Sequence, residues 1–134
     1  MNDRFKFRVW NIEDCTYFEP RDFDDLWLNK NAELRIGFYS DATQMIEDCT
    51  DNVIIEQCTG LKDKNGNLIY EGDVVLFNDD DYPWQIKWNK VFARWVLYSP
   101  LGSNEDGEEE LTDTDAEYLE IIGNIHEQAE QKDK

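Results

Sequence analysis

Residues 59–75 read TGLKDKNGNLIYEGDVV, and the reading of this stretch decides the fold. Its Asp and Asn residues around Gly66 suggest a cation loop, while its glycines and apolar end suggest a turn feeding a strand. An EF-hand loop needs oxygen ligands at positions 1, 3 and 5, Gly at 6 and a bidentate Glu at 12. With Gly66 at position 6, Asp63 and Asn65 fall correctly, but Leu61 takes position 1 and Gly72 takes position 12. Both anchoring ligands are missing. Aligning Gly107 instead puts Gly102 first and Asp113 last, which is no better. The hairpin reading prevails: Asn65-Gly66 is a favoured pair where both central turn residues need positive φ, and Asn and Asp tolerate left-handed backbone. Gly60, Gly66, Gly72 and Gly123 are then backbone-geometry positions. Asn65, Tyr70 and Asp73 fix turns and corners.

Upstream of this turn the texture is that of short strands. RFKFRVW, residues 4–10, alternates polar and apolar and predicts a strand, with NIED as a turn and CTYFE as the returning strand. LWL and LRIGF, separated by the polar NKNAE, predict a second hairpin. SDATQMIEDC, residues 40–49, is the best helical candidate, since Asp41 could cap and Gln44 follows three residues on. NVIIEQCTG returns to strand composition.

Downstream, Gly72 breaks an apolar run and Asp73–Phe77 begins a new strand. Trp84–Trp88 and Phe92–Ser99 predict an antiparallel pair around the turn Asn89-Lys90. PLGSNEDGEEE, residues 100–110, has the composition of a loop, and TDTDAEYL that of a single helical turn. YLEIIGNIHE is again strand-like, and QAEQKDK has nothing to bury and predicts a frayed tail. Nine or ten short strands with little helix make a mostly-β protein. The tight strand spacing from Asp73 onward predicts a small, curved barrel.

Three stretches occur in order, KFRVW (6–10), TGLKDKNGNLIYEGDVV (59–75) and YLEIIGNIHE (118–127), and together they resemble the YopX family of small proteins encoded by bacteriophages and prophages of Gram-positive bacteria. Residues 14–52 carry little of the resemblance. It implies an SH3-like barrel in the second half and no particular activity, the family's function being unassigned, so no functional residues carry over. The chain departs from the family pattern mainly in its longer, more acidic loops NDDDYP and SNEDGEEE. The expected architecture is therefore mostly β, with a strand-rich N-terminal region (1–58) packed on an SH3-like barrel (59–127), followed by a polar tail (128–134).

Charge closes off several functions. Thirty-one acids against thirteen bases give a net charge of −18, and such a field repels nucleic acid and anionic lipid. The Arg4, Lys6, Arg8 alternation is the solvent face of a strand rather than a nucleic-acid footprint. Met1-Asn2-Asp3 is followed by no apolar signal segment, and Cys15, Cys49 and Cys58 contain no CxxC pair. The expectation is a cytoplasmic protein of the bacterial host cell, with three free thiols, no metal and no cofactor. His126 is the single histidine, and Ser40, Ser99 and Ser103 sit in no nucleophile elbow. No phosphate-binding glycine motif is present. These features predict no enzyme.

Interaction surfaces remain. Trp84, Ile86 and Trp88 share one strand face, Phe92, Arg94, Val96 and Tyr98 another, and Ala93, Trp95 and Leu97 a third. A small barrel needs several such aromatics inside, which leaves one or two of Trp84, Trp88 and Trp95 to face a ligand. The stretch from Glu105 to Glu120 holds nine carboxylates and no base. Glu105, Asp106, Glu108, Glu109 and Glu110 form either a solvated loop or a DNA-like charge array. The expected function is a protein–protein interaction module, its partner a host or phage protein or a second copy, since hairpins expose strand edges. The alternative is an acidic DNA mimic that inhibits a host DNA-binding enzyme.

Overall fold

The computed structural model describes residues 6–19, 25–40, 43–78, 82–99 and 108–127. Twelve strands and little helix lie among them, so the mostly-β expectation holds. Chain contacts divide the molecule into two compact units, Arg8–Ile55, and Met1–Phe7 joined with Glu56–Lys134. From sequence the texture changes at Thr59; the contacts divide at Glu56, inside a strand. The 128–134 tail lies outside the described residues. No helix among those residues is long and apolar enough to cross a membrane.

The Arg8–Ile55 unit is built from hairpins. β1 (Phe7–Asn11) pairs antiparallel with β2 (Thr16–Tyr17), placing Trp10 opposite Tyr17. Their rings meet edge to face at 4.9 Å, and the Arg8 guanidinium lies over the Tyr17 ring. The Asn11 side-chain carbonyl accepts from the Glu13 and Asp14 N–H groups, which closes the connecting turn. β3 (Asp25–Leu28), β4 (Leu34–Ser40) and β5 (Thr43–Asp48) form a three-stranded sheet in that order. Leu34, Ile36 and Cys49 are buried, as are Val9 and Trp10.

One expectation fails here. Residues 43–48 form a strand, not a helix, and pair with β4 from Ser40↔Thr43 to Arg35↔Asp48. Six ladder pairings outweigh the local capping signal, because isolated short helices are marginal and tertiary pairing overrides propensity. Asp41, the expected cap, lies outside the described residues.

The second unit centres on a five-stranded antiparallel sheet of order β11-β10-β9-β8-β12, curled into a half-barrel. Its strands are β8 (Asp73–Phe77), β9 (Trp84–Asn89), β10 (Arg94–Tyr98), β11 (Glu108–Glu110) and β12 (Leu119–Asn124). β6 (Val53–Lys62) carries the chain into this unit and pairs with β7 (Leu68–Tyr70). Ile69, Val75, Ile86, Leu97, Leu111, Ala116 and Leu119 form the core, with Leu61, Phe77, Trp84, Trp95 and Ile121 packed against it. Burying each large aliphatic side chain contributes about 1.5–3 kcal/mol, so this cluster is the main source of the unit's stability. The short helix α1 (Asp113–Ala116) is capped by the Thr112 hydroxyl, which accepts from the Asp115 N–H at 3.1 Å. It delivers Ala116 to the core.

Two boundaries differ from expectation. Glu108–Glu110 is not loop but the edge strand β11, paired with β10 from Val96↔Glu110 to Tyr98↔Glu108. The β9–β10 turn is Lys90–Ala93 rather than Asn89-Lys90, because the Asn89 side-chain carbonyl accepts from the Val91 and Phe92 N–H groups and Ala93 adopts φ +51. Phe92 therefore belongs to a turn and not to a strand face.

Candidate functional site

The patterned stretch 59–75 is held together by its own side chains. The Thr59 hydroxyl donates to the Ile69 carbonyl at 2.8 Å and accepts from the Leu61 N–H. Gly60 takes φ +85 where the β6–β7 register shifts. One Asp63 carboxylate oxygen accepts from the Asn65 and Asn67 N–H groups, and the other accepts from the Ile121 N–H at 3.1 Å. Asp63 is buried and each of its oxygens accepts from backbone donors. The turn has positive φ only at Gly66 (+84), and the Gly66 N–H donates to the Asp63 carbonyl. Asn65 keeps negative φ, so the expected pair of left-handed residues is absent. A single left-handed glycine after an ordinary turn does the work instead.

The other motif positions also meet backbone. The Asp73 carboxylate is buried and accepts from the Tyr70 N–H at 2.8 Å. Gly72 adopts φ +88, and a Cβ there would stand 2.5 Å from the Glu56 carboxylate. Glu56 is 2% exposed and its Oε2 lies 3.0 Å from His126 Nε2. Burial first, then the Glu56 charge, pushes the neighbouring Glu71 carboxyl up. Gly123 lies at a register shift of the β12–β8 ladder, and a Cβ there would meet the Glu127 carboxylate. The Asn124 side chain accepts from the His126 and Glu127 N–H groups, starting a helical turn. Nothing in the sequence marks Glu56 and His126 as neighbours. They stand 70 residues apart in sequence, and no local pattern joins them.

The aromatic candidates separate. Trp84 is half-buried against the core, edge to face with Phe77, and its Nε1 is buried without a hydrogen-bond partner among the described residues. Trp95 is likewise packed against the core. Trp88 meets Trp95 edge to face at 5.1 Å and is 46% exposed. Beyond it, in the turn, Val91 is 79% and Phe92 66% exposed. Three large apolar side chains thus stand at one hairpin tip. Sequence did offer a signal for the last two, since an apolar pair in a two-stranded turn breaks the rule that turns are polar.

Charge sharpens this tip. Residues 82–104 contain no acid, the longest such run in the chain, whereas the β9–β10 hairpin carries Lys87, Lys90 and Arg94. Lys87 lies over the Tyr98 ring at 4.0 Å, and Arg94 lies over Phe92 and 3.9 Å from Glu110. Lys90 has no ion-pair partner among the described residues.

Of the acidic candidates, Glu105 and Asp106 lie outside the described residues. Glu108, Glu109 and Glu110 are exposed on β11, with Glu108 accepting from the Asn89 side chain at 2.8 Å.

A cavity of about 350 Å³ opens in the Arg8–Ile55 unit. Its lining combines the apolar Phe18, Ile36 and Val53 with Glu13, Asp14 and Glu47. Cys49, also in the lining, is 6% exposed, and its thiol is pushed up by burial and then by Asp48 and Glu47. A thiol raised in this way is a poor nucleophile. Among the described residues, no group of three or more His, Cys, Asp or Glu is arranged to hold a metal ion.

Comparison with known proteins matches the family described as "YopX protein" to residues 6–131. No curated protein matches the chain. Protein EF1440 from Enterococcus faecalis shares the fold with a TM-score of 0.60 and 21% identity, over 94% of this chain and 96% of that one. Protein YopX from Bacillus subtilis does so with a TM-score of 0.58 and 17% identity, over 93% of each chain. At these identities the likeness is one of fold.

Proposed function

The chain belongs to the YopX family, and from that premise we propose that it is a non-enzymatic module that binds another protein through the tip of the β9–β10 hairpin. The observation that carries this reading is the exposure of Trp88, Val91 and Phe92 together on an otherwise highly charged molecule. Large apolar side chains exposed together on one hairpin mark an interaction surface. Aromatic residues and arginine are the types enriched at the centres of such contacts. An SH3-like reading of the curled sheet agrees, since such barrels present aromatics to ligands. The patterned stretch 59–75 is scaffold in this reading, because its polar side chains are spent on backbone groups. The raised Cys49 thiol and the absence of a nucleophile motif favour a binding role over catalysis. Action in the bacterial cytoplasm, for a phage or prophage, goes with the family resemblance and with three free thiols.

The acidic-mimic reading gains one observation. Glu108–Glu110 sits on a paired strand, which keeps its carboxylates ordered as a loop would not. Carboxylates two residues apart on a strand repeat at roughly 6.5–7 Å.

Capture of partners from host cells at low and high salt separates the two. A contact centred on Phe92 survives high salt and is lost with Phe92→Ser. A DNA-like charge array releases its partner as salt rises, because screening removes the attraction. Retention of the same partner by Phe92→Ser overturns the hairpin reading.

A further inference from the structure

The tip and the cavity are complementary. The tip is apolar and basic: Phe92 and Val91 project from it, and Lys90 has no ion-pair partner among the described residues. The cavity in the Arg8–Ile55 unit is apolar at Phe18, Ile36 and Val53 and acidic at Glu13 and Glu47. Neither of these two glutamates has an ion-pair partner among the described residues. At about 350 Å³ it falls within the range that admits a large side chain with part of its neighbour. Among the described residues Lys90 is the hairpin cation without an ion-pair partner, and it matches the Glu13 and Glu47 carboxylates of a mostly polar lining with a smaller apolar part.

Resting on the interaction-module reading, we infer that the partner is a second copy of this chain: the β9–β10 tip of one copy docks in the cavity of the other's Arg8–Ile55 unit. Phe92 fills the apolar part and Lys90 meets Glu47 and Glu13 at the rim. Charge argues for this occupant. A molecule at net −18 repels its own kind at long range, so only a contact that brings its acid-free segment to its acidic surface overcomes that repulsion. The contact joins two different surfaces. It closes as a reciprocal dimer or propagates as a ring or filament, and it is not the single self-matching patch of an ordinary two-fold interface.

The test is sedimentation of the full chain over a concentration series, with circular dichroism as a check of folding. Wild type is expected to associate. A tip variant, Phe92→Ser with Lys90→Glu, and a cavity variant, Glu13→Lys with Glu47→Lys, are each expected to weaken association at least about thirtyfold. Mixing the two variants restores one intact contact per pair, so a one-to-one complex should form where each alone is monomeric. Lys90→Glu and Glu47→Lys placed in the same chain should recover assembly, since the charges are exchanged and not lost. A wild type that stays monomeric at about 100 μM overturns the inference, as does an assembly unaffected by either variant. If wild type is monomeric while a host protein or anionic vesicles bind the intact tip and not Phe92→Ser, the second-copy occupant is refuted. A host protein bound in that way leaves the interaction-module reading standing; anionic vesicles alone overturn it as well.

Discussion

The Asp63 carboxylate accepts a hydrogen bond from the Ile121 backbone N–H at 3.1 Å, across 58 residues of chain. Its other oxygen holds the Asn65 and Asn67 N–H groups of its own turn. A turn near the middle of the chain is thereby tied to the closing strand β12. Asp63→Ala leaves three backbone donors without their acceptor and should lower unfolding free energy by on the order of 3–5 kcal/mol, measured by urea denaturation. Asp63→Asn keeps an acceptor and should lose less. Because these oxygens are occupied by N–H groups, millimolar Ca²⁺ should leave the denaturation midpoint unchanged; a marked rise would restore the cation-loop reading.

Gly66 and Gly72 share positive φ but differ in surroundings. A Cβ on Gly66 meets nothing within 4 Å, whereas one on Gly72 collides with the buried Glu56 carboxylate. Gly66→Ala should cost about 1–2 kcal/mol of backbone strain. Gly72→Ala should cost roughly twice that or more, since the carboxylate beside His126 must also move. Equal losses in thermal melts of the two variants would contradict this account of Gly72.

Glu71 predicts a dependence on pH. Its folded-state carboxyl is raised, first by burial and then by Glu56, so the folded protein holds this proton more tightly than the unfolded chain does. The contribution is complete below the unfolded value near 4.5 and is lost as pH rises through the folded value. Glu71→Gln should therefore stabilise the protein at about pH 7 and bring little change at about pH 4. Stabilisation that is the same at both pH values would place the effect elsewhere.

The exposed tip and the buried core should respond oppositely to truncation. Phe92→Ser and Val91→Ser remove side chains that face solvent and should change stability by no more than about 0.5 kcal/mol. Leu97→Ala, at a fully buried core position, should cost about 2–5 kcal/mol. Thermal melts of the three variants check this contrast, and a large loss at Phe92 would mean that it packs internally.

Much of this was legible in the residues. The alternation through Phe7–Trp10, the break at Gly72 and the apolar runs of the second half mark strands because a pleated strand imposes a period of two, whereas β6 runs on through Gly60 to Lys62. Residues 43–48 misled because a capping signal is local, while pairing with β4 depends on residues up to 13 positions away, as Arg35↔Asp48 shows. Glu108–Glu110 misled in the opposite sense. Three successive glutamates have poor strand propensity, yet an exposed edge strand leaves each carboxylate in water. The Glu56–His126 contact had no sequence signal at all, since long-range proximity carries no spacing rule. Sequence puts Phe92 on a strand face because the turn reads too early there; the Asn89 side chain that organises the turn is a recognised and readable device.

The claim at the centre of this account is that the β9–β10 tip is the surface through which the protein meets another protein. Photo-crosslinking tests it directly, with a photoreactive amino acid placed at Phe92 in one variant and at the exposed Glu117 of the same unit in another. Illumination in the producing cell should give a defined protein adduct from position 92 and none from position 117. No adduct at position 92, or the same adducts from both positions, would contradict it.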